Sequence, residues 1–215
     1  MIMATVVLGS RRTLIDIILP GHSTARQVAL ILGGSALVAL SARLTIPLPW
    51  VPITGQTYAV LLVSALLGSR RGALALLAYL AEGLAGLPVF AFGHSAWTLS
   101  SVGVPTIIGP TAGYLWSYPC VSLVVGGLAE RGWDRHIGRA IVAMALGEGV
   151  IYAGGLTWLA HYVGLATAVQ VGLLPFLAGD TIKLLLAAAT LPIGWRVLGR
   201  HSGRERGAHL PPPRL

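Results

Sequence analysis

The sequence predicts an all-α, polytopic membrane protein with six transmembrane helices and both termini in the cytoplasm. Composition is the first observation: of 215 residues 55% are hydrophobic and 10% charged, with a positive mean hydropathy, which excludes a soluble domain. At about 20 residues per span, six or seven helices fit. The second is charge placement. Basic residues cluster at Arg11, Arg12 and Arg26, at Arg70 and Arg71, at Arg131, Arg135 and Arg139, and at Arg196, Arg200, Arg204, Arg206 and Arg214. The positive-inside rule places all four clusters on the cytoplasmic side, and an even number of spans is the count that satisfies it. The net charge of +8 is thereby a matter of topology and calls for no nucleic acid. The single cysteine, Cys120, excludes an intramolecular disulfide and a cysteine-based metal site.

Residues 1–27 read as a cytoplasmic or interfacial tail, broken at Pro20-Gly21, with no signal peptide evident. Residues 28–200 hold the six helices, and 201–215 form a basic, proline-rich C-terminal tail. The first span, about Gln27 to Leu44, is rich in small residues. Ser35 and Ala39, four apart, permit close approach of another helix, either within the bundle or from a partner. Ile46 to Thr54 holds three prolines, too many for a helix or a ladder strand, and reads as a lid-like loop. The second span, about Gln56 to Leu67, ends in the turn Gly68 to Gly72. The third covers Ala73 to Leu87, and the uncharged connection Pro88 to Pro110 is suited to re-enter the membrane. The fourth runs from about Thr111 to Leu128 and the fifth from Arg139 to about Tyr162, with Gly154-Gly155 positioned to bend it.

The sixth span is read across Val169 to Leu191, which places Asp180 and Lys183, the only lysine, deep in the membrane. A charge at the bilayer centre costs about 2.5–3.5 kcal/mol on insertion scales, so an intramembrane pair is functional by default and a structural lock otherwise. Three residues apart, the two share a helix face and can pair or converge on one ligand. Glu82 and Glu148, on the third and fifth spans, complete a polar set within apolar walls. Arg43 is the remaining basic residue outside the cytoplasmic clusters.

Several segments in order resemble one family: Ile46-Pro47-Leu48-Pro49 with Pro52-Ile53-Thr54 and Gln56, Leu67 to Gly72, Gly86 to Ala91, Gly109 to Tyr114, Ile151-Tyr152 with Trp158-Leu159, and Gly179-Asp180 with Lys183. They resemble BioY, the biotin-binding S component of energy-coupling-factor (ECF) transporters, over about residues 28 to 195. The resemblance implies the six-helix S-component fold, a multi-pass location in the cytoplasmic membrane among its lipids, and high-affinity capture of biotin from outside. It also implies hand-over to a coupling module of one transmembrane coupling subunit and two ATPase subunits, with no catalysis and no cofactor in this chain. It places Asp180 and Lys183 against the vitamin, the loop ending at Thr54 over it, and Gln56, Tyr114 and Tyr152 around it. Glu148 stands where many members have asparagine, and Phe92-Gly93 where many have two glycines. Ser35 and Ala39 fall where S components dock on the coupling subunit.

Biotin chemistry suits this set. A carboxylate at Asp180 accepts from a ureido N–H, and Lys183 donates to the ureido oxygen or to the valerate carboxylate, for which Arg43 is a further electrostatic partner. Trp50, Tyr58, Phe90, Trp97, Tyr114, Tyr152 and Trp158 are candidates for apolar walls or for interfacial anchors. An intramembrane aspartyl protease is excluded, since no other span holds a second aspartate. A proton-coupled secondary transporter of a small polar metabolite is the alternative, but no inverted repeat relates the two halves. Gly33-Gly34-Ser35 lacks the lysine and spacing of a phosphate loop, so ATP hydrolysis would belong to other chains.

Overall fold

The computed structural model describes residues 13–21 and 23–208, the stretch 198–208 for its backbone alone. Seven helices and one two-stranded hairpin follow in order: α1 Leu14–Ile18, α2 Thr24–Ser41, β1 Thr45–Ile46, β2 Ile53–Thr54, α3 Gln56–Leu84, α4 Ala112–Ala129, α5 Ile137–Val163, α6 Leu165–Gly172 and α7 Leu177–Ala208. Among the described residues, five helices are long and apolar enough to cross a membrane: α2, α3, α4, α5 and Leu177–Val197 of α7.

The second and third expected spans are both within α3. Gly68 interrupts it at φ 82, ψ −178, a conformation that an L side chain resists, and the chain reverses there. Gln56 Nε2 and the Tyr79 hydroxyl meet at 2.5 Å. In one straight helix, 23 residues of separation would hold them about 35 Å apart. The arms 56–67 and 69–84 therefore run antiparallel, and the turn is confined to Gly68, not spread over Gly68 to Gly72. Its tightness serves packing: a Cβ on Gly126 of α4 would fall on the Gly68 carbonyl carbon and the Ser69 nitrogen. Glu130 fixes the turn by accepting from Ser69 N and Oγ at 2.7 and 2.8 Å.

Other expectations need correction. The proposed sixth span breaks at residues 173–176, where Pro175 lacks the N–H that a continuous helix would use. Residues 169–172 end α6, and α7 starts anew at Leu177, so Asp180 lies in a first turn and not mid-helix. Gly154 and Gly155 do not bend α5, which is continuous. They admit α4 instead: a Cβ on Gly154 would sit 3.0 Å from the Gly113 carbonyl oxygen, and one on Gly155 would overlap the Tyr114 ring. The proline loop forms a ladder at its ends, Thr45 opposite Thr54 and Ile46 opposite Ile53, with Pro47, Pro49 and Pro52 between the strands where no ladder N–H is needed. Residues 201–208 continue α7 as helix, while Pro211 to Pro213, with Arg11, Arg12 and Arg214, fall outside the described residues.

The core is formed by Leu61, Leu76, Tyr79, Leu80, Phe90 and Met144, all within 1% of full burial. Leu40, Leu74, Leu123, Val142, Leu186 and Ile193 point outward from the bundle, as side chains solvated by lipid do.

Next to the Gly68 turn α1 is held by charge. Arg71 donates to both Asp16 oxygens at 2.7 Å, and Arg26 reaches Oδ1 at 3.4 Å. Leu14 is buried, and the methyl group of an alanine at Gly194 would meet its side chain. Burial alone would raise the Asp16 carboxyl, but the bonds from Arg71 and Thr13 outweigh it and hold it well below the ordinary carboxylate range. The sign follows: a depressed folded value adds stability above the unfolded value, lost as pH falls through the folded one. Asp16→Asn is expected to lower thermal stability by about 1 kcal/mol at pH 7, allowing for solvent screening. In thermal unfolding between pH 7 and pH 3 the gap to wild type should hold to about pH 5 and shrink below it; a gap independent of pH would show that the charge is not the cause.

Candidate functional site

A cavity of about 160 Å³ lies where α3, α4 and α7 begin, roofed by the proline loop and by the connection from α3 to α4. Its polar wall is built on α5 and α7. Asp180, 5% exposed, accepts from the Tyr152 hydroxyl at 2.6 Å through Oδ2 and from Lys183 Nζ at 2.8 Å through Oδ1. Lys183 also donates to the Thr54 carbonyl at 2.6 Å, so one ammonium ties the roof loop to α7. Tyr152 on α5 and Asp180 in the first turn of α7 meet because both side chains face the cavity.

Thr54 and Gln56 form the next part of the wall. Thr54 Oγ1 accepts from Gln56 N at 3.2 Å and donates to Gln56 Oε1 at 3.0 Å, capping α3. Gln56 Nε2 then donates to Tyr79, whose hydroxyl donates to the Val89 carbonyl at 3.2 Å and so holds the start of the connection. Tyr114 presents its ring to the cavity, while its hydroxyl donates to the Gly172 carbonyl at 2.9 Å and keeps α6 in place. Trp50, Val51, Phe90, Leu115, Ile151 and Phe176 supply apolar surface.

The structure thus brings together Asp180, Lys183, Thr54, Gln56, Tyr114 and Tyr152. Glu148 lies one helical turn below Tyr152, beside Asp180, and does not line the cavity. It is 7% exposed, and among the described residues neither carboxyl oxygen meets the geometry of a hydrogen bond. Glu82 is elsewhere, on the seam with α2, where Ser35 Oγ donates to it at 2.6 Å. Ser35 is fully buried by that contact and is not available to an outside partner, whereas Ala39 is half-buried. Arg43 is exposed, donates to the Pro88 carbonyl at 2.6 Å and packs on Gly93. Of the aromatic candidates, Trp97 and Trp158 are staples: their indole N–H groups donate to the Leu84 and Gly109 carbonyls at 2.9 Å. Tyr58 does not line the cavity. His94, Ser100, Ser101, Thr106 and Phe176 do, and the sequence reading missed them, because the connection carries no charge run or periodicity to mark it.

This wall can hold a neutral polar group that both donates and accepts. Tyr152→Phe would leave Asp180 Oδ2 without its donor, and an unmet bond to a charged group of this kind costs about 1–3 kcal/mol. The purified variant is expected to show a lower thermal midpoint, and Glu148→Gln, which places a donor beside Asp180 and removes a like charge, an equal or higher one. Equal midpoints for wild type and Tyr152→Phe would mean that the Asp180 bond contributes nothing.

The model of the BioY family matches residues 16–200. The chain is 34% identical over 175 residues to the probable biotin transporter BioY of Pyrococcus horikoshii, a match covering 81% of this chain and 98% of that relative. It is 37% identical over 155 residues to the biotin transporter BioY of Thermotoga maritima, covering 72% and 86%. The biotin transporter BioY of Rhodobacter capsulatus is 37% identical over 183 residues, covering 75% and 88%. In fold, the chain superposes on the crystal structure of the S-component for biotin from an ECF-type ABC transporter, with a TM-score of 0.66 and 22% identity over 80% of this chain and 93% of that one. Because the family match begins within α1 and ends within α7, it takes in the whole bundle and every wall of the cavity, and the chain belongs to the BioY family.

Proposed function

We propose that this multi-pass membrane protein binds biotin in the cavity and carries it across the cytoplasmic membrane as the S component of an ECF-type transporter. A transmembrane coupling subunit and two ATPase subunits would complete the machine. The observation that carries the reading is the Asp180–Lys183 pair at the cavity wall, bonded to Tyr152 and to the roof loop through Thr54. A ureido group fits it: the ring N–H groups donate to Asp180, and the carbonyl accepts the remaining N–H of Lys183. The apolar surface from Trp50, Ile151 and Phe176 suits the thioether ring and the methylene chain. Both termini lie in the cytoplasm in this reading, and the chain crosses six times because the two arms of α3 are separate passes. The basic residues of the Gly68 turn, of the loop after α4 and of the end of α7 then share one side, and the cavity opens on the other.

Docking on the coupling subunit is assigned to α2. With Ser35 buried, the exposed small residues Ala25, Ala29, Gly33 and Ala36, spaced by three and four on one face, offer the close approach expected of the first span.

Asp180→Asn removes the charge on which Lys183 and Tyr152 converge, and is expected to weaken biotin by about 2–4 kcal/mol, roughly 30- to 1,000-fold. Lys183→Met removes both a ligand donor and the tether to Thr54, so about 10- to 100-fold is expected, mainly through faster dissociation. Calorimetric titration of the folded, monodisperse variants decides this. Wild-type affinity in both would reduce the pair to a structural lock.

Gly33→Trp fills the outer face of α2 without touching the cavity. Biotin binding to the isolated chain should persist, and ATP-dependent biotin uptake by vesicles containing the coupling module should drop at least about tenfold. Unimpaired uptake would rule out docking through this face.

A further inference from the structure

We propose that the connection between α3 and α4 carries a subsite for the ligand's carboxylate, read by His94, and that the Asp180–Lys183 wall is left to the neutral polar head. The inference rests on the reading of the cavity as a biotin site and adds the orientation of the ligand within it.

Charge at the first wall argues against a carboxylate there. Lys183 is its one cation and already donates to Asp180 Oδ1 and the Thr54 carbonyl, leaving one N–H. Asp180 and Glu148 lie next to each other on that side. A ligand carboxylate there would meet Asp180 across a dry cavity, where like charges repel strongly.

The connection has the opposite character. No acidic residue occurs in the sequence between Glu82 and Glu130, so nothing along it repels an anion. His94 lines the cavity, and among the described residues its ring has no hydrogen-bond partner; its one ring contact is with Phe92 at 5.7 Å between centroids. Ser100 lines the same cavity with a buried hydroxyl that lacks a partner, beside Ser101. Behind His94, the Arg43 guanidinium packs on Gly93, so a permanent positive charge stands one residue away. The N-terminus of α4 opens at Thr111, also on the cavity, and adds the positive end of an 18-residue helix. Imidazole N–H, two serine hydroxyls and a positive field form a receptor for one carboxylate.

A titration with two ligands tests this. Biotin and biotin methyl ester share head and chain and differ in the charge of the tail. Wild type is expected to prefer biotin by about tenfold or more, the size of one charge-assisted bond. In His94→Ala biotin should weaken to about the level of the ester, so that the preference falls to about two- or threefold or less. Lys183→Met should weaken both ligands by the same factor and keep the preference. Ser100→Ala, a smaller change in the same wall, is expected to reduce the preference partway, and it stands in should His94→Ala fail to fold. The proposal is overturned if Lys183→Met abolishes the preference, or if His94→Ala or its stand-in preserves it. Folded wild type binding neither ligand would overturn the biotin reading itself, and this inference with it, and is distinct from binding with an unmoved preference.

Discussion

The cavity half of the molecule depends on one ammonium group. Lys183 Nζ joins α7 to the roof through the Thr54 carbonyl and to its own helix through Asp180. Asp180 in turn engages α5 through Tyr152, and Thr54 engages α3 through Gln56. An isolated lysine in an apolar bundle would be too costly to keep charged. Here each charge has an opposite neighbour and a second polar contact, which is the condition under which a buried pair persists. Asp180 also sits in the first turn of α7, at the helix end that favours an anion, so it gains from the backbone what a mid-helix position would deny it.

The starts of α3, α4 and α7 converge on the cavity, each contributing the equivalent of about half a positive charge from its aligned backbone dipoles. Only α7 answers with an acid in its first turn; α3 and α4 have none there. The cavity therefore carries an uncompensated positive field on its α3 and α4 sides. That asymmetry gives it two unlike ends without an arginine in the lining, and it originates in topology: helices that alternate in direction bring every second N-terminus to the same face.

Much of this was legible in the chain. Apolar run lengths and arginine positions gave the first five spans to within a few residues, because lipid solvation and the positive-inside rule act on local composition. The Asp180, Lys183, Thr54, Gln56, Tyr114 and Tyr152 set was legible from motif order. Two kinds of feature were not. The tightness of the Gly68 turn and the helix break at residues 173–176 depend on what packs against them, Gly126 in the first case, and flanking hydropathy is blind to that. The function of a small residue depends on which way it faces: Ser35 looks like a docking residue in a spacing argument, yet its hydroxyl turns inward to Glu82. Gly154-Gly155 likewise read as a bend and proved to be a contact surface for α4. His94 was invisible for another reason, since a lone histidine in an uncharged loop gains meaning only from the cavity it lines.

The two ends of the bundle are held by different forces, and this bears on which end can open. At the Gly68 end, Asp16 joins α1 to α3 through a two-pronged Arg71 contact, and Glu130 joins α4 to the Gly68 turn. Asp134 is 2% exposed, and its Oδ2 accepts from the Trp195 indole at 2.6 Å; burial, only partly offset by that bond, raises its carboxyl above the ordinary range. These contacts are charge-assisted or deeply buried, and rupture of any one leaves an unmet polar group. On the cavity side the connection is held at its start by Arg43 on the Pro88 carbonyl and beyond it by single neutral bonds: Trp97 to the Leu84 carbonyl, Trp116 to Ile107, Trp158 to Gly109 and Tyr162 to Ile108. Its own helical content is a single 3₁₀ turn at Ala91–Gly93. Neutral bonds near a surface are individually cheap to exchange for water, so local opening should begin in this part of the roof and leave the Gly68 end intact. The Asp180–Lys183 pair then stays anchored to α5 and α7 while the walls above it part.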